Sequence, residues 1–112
     1  MIETFLLGLY NLYVQLRRAG FDQLKVLNIL NSGRNIDDDF LKLRNKYPDL
    51  RKKDKILEEA YEEGEKRANS TDMGIIYLQY LVKDGSKYKL TPKGAEYLES
   101  CARDHYPHFW PN

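Results

Sequence analysis

Seven cationic side chains crowd between residues 42 and 55: Lys42, Arg44, Lys46, Arg51, Lys52, Lys53 and Lys55. Only Asp49 and Asp54 oppose them within that span. A cluster of this kind can neutralise backbone phosphates and release their counterions. Three more lysines, Lys83, Lys87 and Lys89, flank or follow the turn-forming Asp84-Gly85-Ser86 and would make the footprint a split one. The candidate nucleic-acid contacts are therefore Arg44, Lys46, Arg51, Lys52, Lys53, Lys55, Lys83, Lys87 and Lys89, with double-stranded DNA as the expected partner. The competing reading is a solvated helix junction, balanced by Glu58, Glu59, Glu62, Glu63 and Glu65. That acidic run would repel DNA if it shared the same face.

Cys101, Asp104, His105 and His108 are of types that suit zinc or another transition metal. Their spacing matches no familiar finger, no fourth ligand is evident, and Pro107 breaks helical alignment. The expectation is a helix cysteine followed by a solvated tail, with no metal and no cofactor. Scattered glycines form no phosphate loop, and there is no nucleophile elbow or His-Glu metal pair. The carboxylates fall in solvated helical runs that offer no support for general acid/base work. No catalytic residue is expected, and the chain does not read as an enzyme. Tyr106, Phe109 and Trp110 need cover from their own domain or a partner chain.

The elements that must position these groups fit one domain, since 112 residues can bury a single core. The formal charge is only +1, so any anion-binding surface must come from local clustering and not from the chain as a whole. One cysteine excludes an intramolecular disulfide and points to an intracellular, cytoplasmic setting. The apolar run from Phe5 to Leu16 is shorter than the ~20 residues of a membrane span, and Glu3 precedes it where a signal peptide would be basic. It reads as a helix of a soluble protein, with no membrane partner.

Residues 3–19 read as the first helix. Thr4, Gly8, Asn11, Gln15 and Arg18 fall in one polar stripe, and nearly everything else is apolar. Two readings account for so narrow a stripe. The expected one is a homodimer seam through Phe5, Leu6, Leu9, Tyr10, Leu12, Tyr13 and Leu16. The other is a central helix wrapped by the rest of the domain. Gly20 ends the helix. Asp22 caps a second one, which stops near Ser32-Gly33. A third opens at Asp37-Asp38-Asp39 and ends by Tyr47-Pro48. A fourth runs from about Leu50 to Ala68. The capping residues Asn69-Ser70-Thr71-Asp72 then mark a boundary before a fifth helix or buried segment over Met73 to Val82.

Tyr80-Leu81-Val82 suits a strand, and Asp84-Gly85-Ser86 supplies turn chemistry. Lys87-Tyr88-Lys89-Leu90 alternates, with the two lysines on one face and Tyr88 and Leu90 on the other. Thr91 caps a helix with Pro92 at its first position, and Leu98, Cys101 and Ala102 continue its buried side. With two prolines, the segment from Asp104 to Asn112 cannot stay helical. The stretch from Leu81 to Leu98, with its Leu90-Thr91-Pro92-Lys93-Gly94, resembles the wing and following helix of prokaryotic and archaeal winged-helix DNA-binding regulators. That resemblance implies a mainly α, winged-helix-like domain with one small β-hairpin over residues 1–104 and an aromatic tail over 105–112. It implies a transcriptional regulator with a recognition helix just before the wing. The segment in that place, Met73 to Leu81, carries no Lys or Arg. The alternative in view is therefore a protein-interaction or assembly module on the same scaffold.

Overall fold

The first helix enters through a 3-10 turn, Thr4–Leu6, and becomes α1, Leu7–Arg18. In this computed structural model, which describes residues 2–32, 38–70, 78–108 and 110, α1 is the centre of the molecule. The polar stripe is its outer edge: Thr4, Gly8, Asn11 and Arg18 are exposed and Gln15 is half-buried. Leu6, Leu9, Tyr10, Leu12, Tyr13 and Leu16 are each 3 % exposed or less in a single chain, and Phe5 is half-buried. The seam expected for a dimer is thus an internal surface. α1 packs against the second, fourth and fifth helices, and Trp110 stacks near Tyr13. This corrects the use of that apolar face as evidence for a second copy, because those six side chains are already covered.

Gly20 ends α1 at φ +105°, a backbone region that favours glycine. Gly20 N–H donates to Arg17 O and Phe21 N–H to Leu16 O, the paired bonds of a Schellman ending. Asp22 then accepts a hydrogen bond from Lys25 N–H at 2.8 Å and starts α2, Gln23–Asn31. α3 is Asp38–Lys46. Pro48–Lys52 forms a 3-10 turn where the fourth helix was expected to begin, and α4 is Lys53–Ser70. Its buried side is narrow, limited to Lys53, Leu57, Ala60 and Gly64.

The first half of the fifth element expected over Met73 to Val82 lies outside the described residues, as do Gly33, Asp37 and the Thr71-Asp72 end of the capping run. Its described end is a 3-10 turn at 78–79, and Leu81 and Val82 already belong to a strand. β1, Leu81–Asp84, pairs antiparallel with β2, Lys87–Leu90, in the register Leu81 to Leu90 and Asp84 to Lys87. The loop is therefore Gly85-Ser86. Gly85 sits at φ +65°, matching tight hairpins whose first central residue is glycine. α5 is Pro92–His105, one residue longer than the expected domain end, and Tyr106 leaves the helical conformation.

Three contacts fix the hairpin to the helices. Asn31 donates its amide N–H to Leu90 O and accepts from Leu90 N–H, at 2.8 and 2.9 Å, so α2 holds the base of β2. Thr91 caps α5 through Gly94 N–H at 3.0 Å and donates its hydroxyl to Gln79 O. Gly94 is required by close approach. A Cβ there would collide with Tyr80 O and lie 2.6 Å from Leu90 Cδ1.

Candidate functional site

The basic cluster divides once its side chains are placed. Lys42, Lys46, Arg51, Lys52 and Lys55 are exposed around the corner from α3 to α4, and Arg44 is half-buried. Lys46 lies over the Tyr47 ring at 5.5 Å, and Arg51 donates to Asn45 Oδ1 at 3.0 Å. Lys55 faces Glu59 one helical turn away at 3.9 Å.

Lys53 is the exception, and its assignment as a nucleic-acid contact is corrected. It is 6 % exposed, and its ammonium donates to Leu30 O at 3.3 Å, Ser32 O at 2.8 Å and Asp54 Oδ1 at 3.1 Å. Those carbonyls belong to the last turn of α2 and its cap, where orphan acceptors and the negative helix end favour a cation. The charge that looked available to a phosphate is used inside the fold.

The wing lysines also differ from one another. On the outer face of the hairpin, Lys89 pairs with Asp84 at 2.9 Å. The hydrogen bond from Lys89, and then its charge, hold the Asp84 carboxyl below its ordinary pKa. Lys87 is exposed. Lys83 rests over the Tyr88 ring at 5.6 Å, and Tyr88 in turn packs on Tyr61 of α4 at 5.1 Å.

Between the wing tip and the start of α4 lies a groove of about 620 Å³, lined by Asp54, Glu58, Lys83, Gly85, Ser86, Lys87 and Tyr88. It adjoins the α4 end of the basic corner, where Asp54 stands between Lys53 and Lys55 in sequence. Two carboxylates line it. The structure therefore brings Lys83 and Lys87 together with Asp54 and Glu58. The signal was present in the sequence: Asp54 and Glu58 are four apart, so they share a helix face. Which wall that face would meet depended on the long-range docking of α4 on the hairpin.

A second charged cluster is closed. Glu99 of α5 accepts from Arg17 through both oxygens at 2.9 Å, from the Tyr13 hydroxyl at 2.5 Å, from Trp110 Nε1–H at 2.8 Å and from Arg103 Nε–H at 3.1 Å. Arg17 also donates to Phe21 O at 2.9 Å and lies over the Trp110 ring. Burial by itself would raise the Glu99 pKa. The hydrogen bonds from Arg17, Tyr13 and Trp110, together with the charge of Arg17, outweigh it and hold the carboxyl at about 2. Burial, and then the bond to Glu99, push the Tyr13 hydroxyl well above its usual range. Every strong acceptor and donor here has a partner, so the cluster fastens the tail to α1 and α5 and has no group poised for acid/base chemistry.

Three of the four side chains considered as metal ligands border one cavity at the end of α5. Cys101, Asp104 and His105 line a small cavity of about 260 Å³ with Ile2 and Tyr10, and the Tyr10 hydroxyl lies 3.3 Å from His105 Nδ1. Burial, followed by the nearby Tyr106 and Cys101, raises the Tyr10 pKa. Among the described residues, no three His, Cys, Asp or Glu side chains converge as metal ligands. No described helix is long and apolar enough to cross a membrane. Set against known protein families, curated proteins and solved structures, the chain finds no match in any of the three.

Proposed function

We propose that the chain is a protein-interaction or assembly module on a winged-helix-like scaffold, and not a sequence-reading DNA regulator. The observation that carries this reading is the groove between the wing and α4, where Asp54 and Glu58 face Lys83 and Lys87. A duplex laid across the wing would meet carboxylates at the place where a phosphate footprint needs cations. The exposed side of α4, which packs on both strands of the hairpin, adds Glu59, Glu62, Glu63 and Glu65. The burial of Lys53 removes one more charge from the basic side.

Duplex-DNA binding measured across a salt series tests the proposal. Negligible affinity at low salt is the expected result. Tight binding that falls steeply with salt overturns it, because only released counterions give that slope.

A second reading keeps DNA as the partner, through phosphates alone. Lys42, Lys46, Arg51 and Lys52 are exposed together at the corner from α3 to α4, and that favours it. On this reading, Arg51→Glu combined with Lys52→Glu lowers the salt slope by about two phosphate contacts' worth. On the first reading, the pair has no binding to remove.

A further inference from the structure

We propose that the groove between the wing tip and α4 takes an extended peptide segment whose residues alternate in charge. The proposal rests on the reading of the chain as a protein-interaction module and names the chemistry of what it binds. The walls of the groove have opposite signs. Asp54 and Glu58 stand on the α4 side, Lys83 and Lys87 on the wing side, and Tyr88, Gly85 and Ser86 complete the lining. Neither a polyanion nor a polycation matches both walls.

An extended chain that alternates Lys and Glu matches both. Its side chains point to opposite sides in turn, so all its cations face one way and all its anions the other. The spacing agrees as well. Two positions four residues apart on a helix are separated by about 6 Å along its axis. Side chains two apart on a strand are separated by about 6.8 Å. Successive lysines of the segment therefore meet Asp54 and Glu58, while the glutamate between them turns toward Lys83, which shares its hairpin face with Tyr88, and Lys87 borders the groove at the tip.

The groups that line the groove remain accessible. Asp54 shares one oxygen with Lys53, yet its side chain is 89 % exposed. Glu58, Lys83 and Lys87 are exposed, and Lys83 is steadied over the Tyr88 ring. The volume of the groove falls within the range of ligand clefts.

The test is an amide chemical-shift titration of the full chain with a blocked peptide of alternating Lys and Glu. Controls of the same length are a block peptide of identical composition, oligolysine and oligoglutamate. Saturable shifts at Gly85, Ser86 and Tyr88 are expected with the alternating peptide. The block peptide and the two homopolymers should bind about tenfold more weakly or not at all. Lys83→Glu combined with Lys87→Glu should weaken the alternating peptide about tenfold, and Glu58→Lys about fivefold, each with an unchanged thermal melt. Equal binding of the alternating and block peptides overturns the inference, as does an alternating peptide that causes no shifts. Either result leaves the interaction-module reading standing, since that one falls only to salt-sensitive DNA binding.

Discussion

Glu99 and Glu58 are the same side chain on two helices of one small domain, and they have opposite surroundings. Glu99 is ringed by donors from Arg17, Tyr13, Trp110 and Arg103 and is held at about pH 2. Glu58 lies open on the wall of a groove that also bears two lysines. In the first region charge is spent on cohesion, joining α1, α5 and the tail. In the second, charge is left facing outward with opposite signs apart. A near-neutral chain can thus contain one charged region that is internally satisfied and one that still has interactions to make. The sum of the charges distinguishes neither.

The sharpest break in that comparison is Arg17→Met. It removes the two-pronged partner of a mostly buried carboxylate and leaves it Tyr13, Trp110 and Arg103, so the cost should be about 3 kcal/mol in urea unfolding. Acid titration probes the same cluster. The folded pKa of Glu99 lies below its ordinary 4.5, so its contribution to stability is complete above pH 4.5 and is lost as pH falls toward 2. Glu99→Gln should flatten that acid limb, and a limb of unchanged slope would assign the loss to other groups.

Gly94→Ala should cost about 2–3 kcal/mol, because the added methyl meets the Tyr80 carbonyl, a backbone atom with little room to retreat. Thermal melts of the two proteins decide it. Lys53→Met follows, with an expected loss of about 1–2 kcal/mol from carbonyls left without a donor. Its value is in what stays constant: any anion binding at the basic corner should be unchanged. A drop in anion binding equal to that of Lys52→Met would return Lys53 to the surface. Asp84→Asn is the smallest, with no measurable shift in the melt expected, because the Asp84–Lys89 pair is solvated.

Much of the architecture was legible because its signals are local. Gly20, Asp22, Gly85 and Thr91 each act on their nearest neighbours, and each does what its chemistry suggests. The mainly helical fold with one hairpin followed from those stops and starts. The polar stripe of α1 was legible for the same reason, but the cover for its apolar sides was not. That cover comes from α2, α4 and α5 and from Trp110, most of it far along the chain.

The candidate site was harder to read. Lys53 looks like its cationic neighbours in sequence, and only the position of the α2 carbonyls makes it internal. Arg17 and Glu99 are 82 positions apart and leave no local signature. Asp54 and Glu58 were visible as members of an acidic run. Their role as one wall of a groove depends on how α4 docks against the wing.

The Asn31 amide has a consequence for how this domain meets other chains. By taking both the N–H and the C=O of Leu90, one side chain does what a neighbouring strand would do at the base of β2. An unprotected strand edge is a general invitation to pair with any extended backbone. Here that invitation is withdrawn at its root by a single residue of α2. A strand that pairs along this edge of the hairpin is therefore kept from its base, because the backbone of Leu90 is already taken.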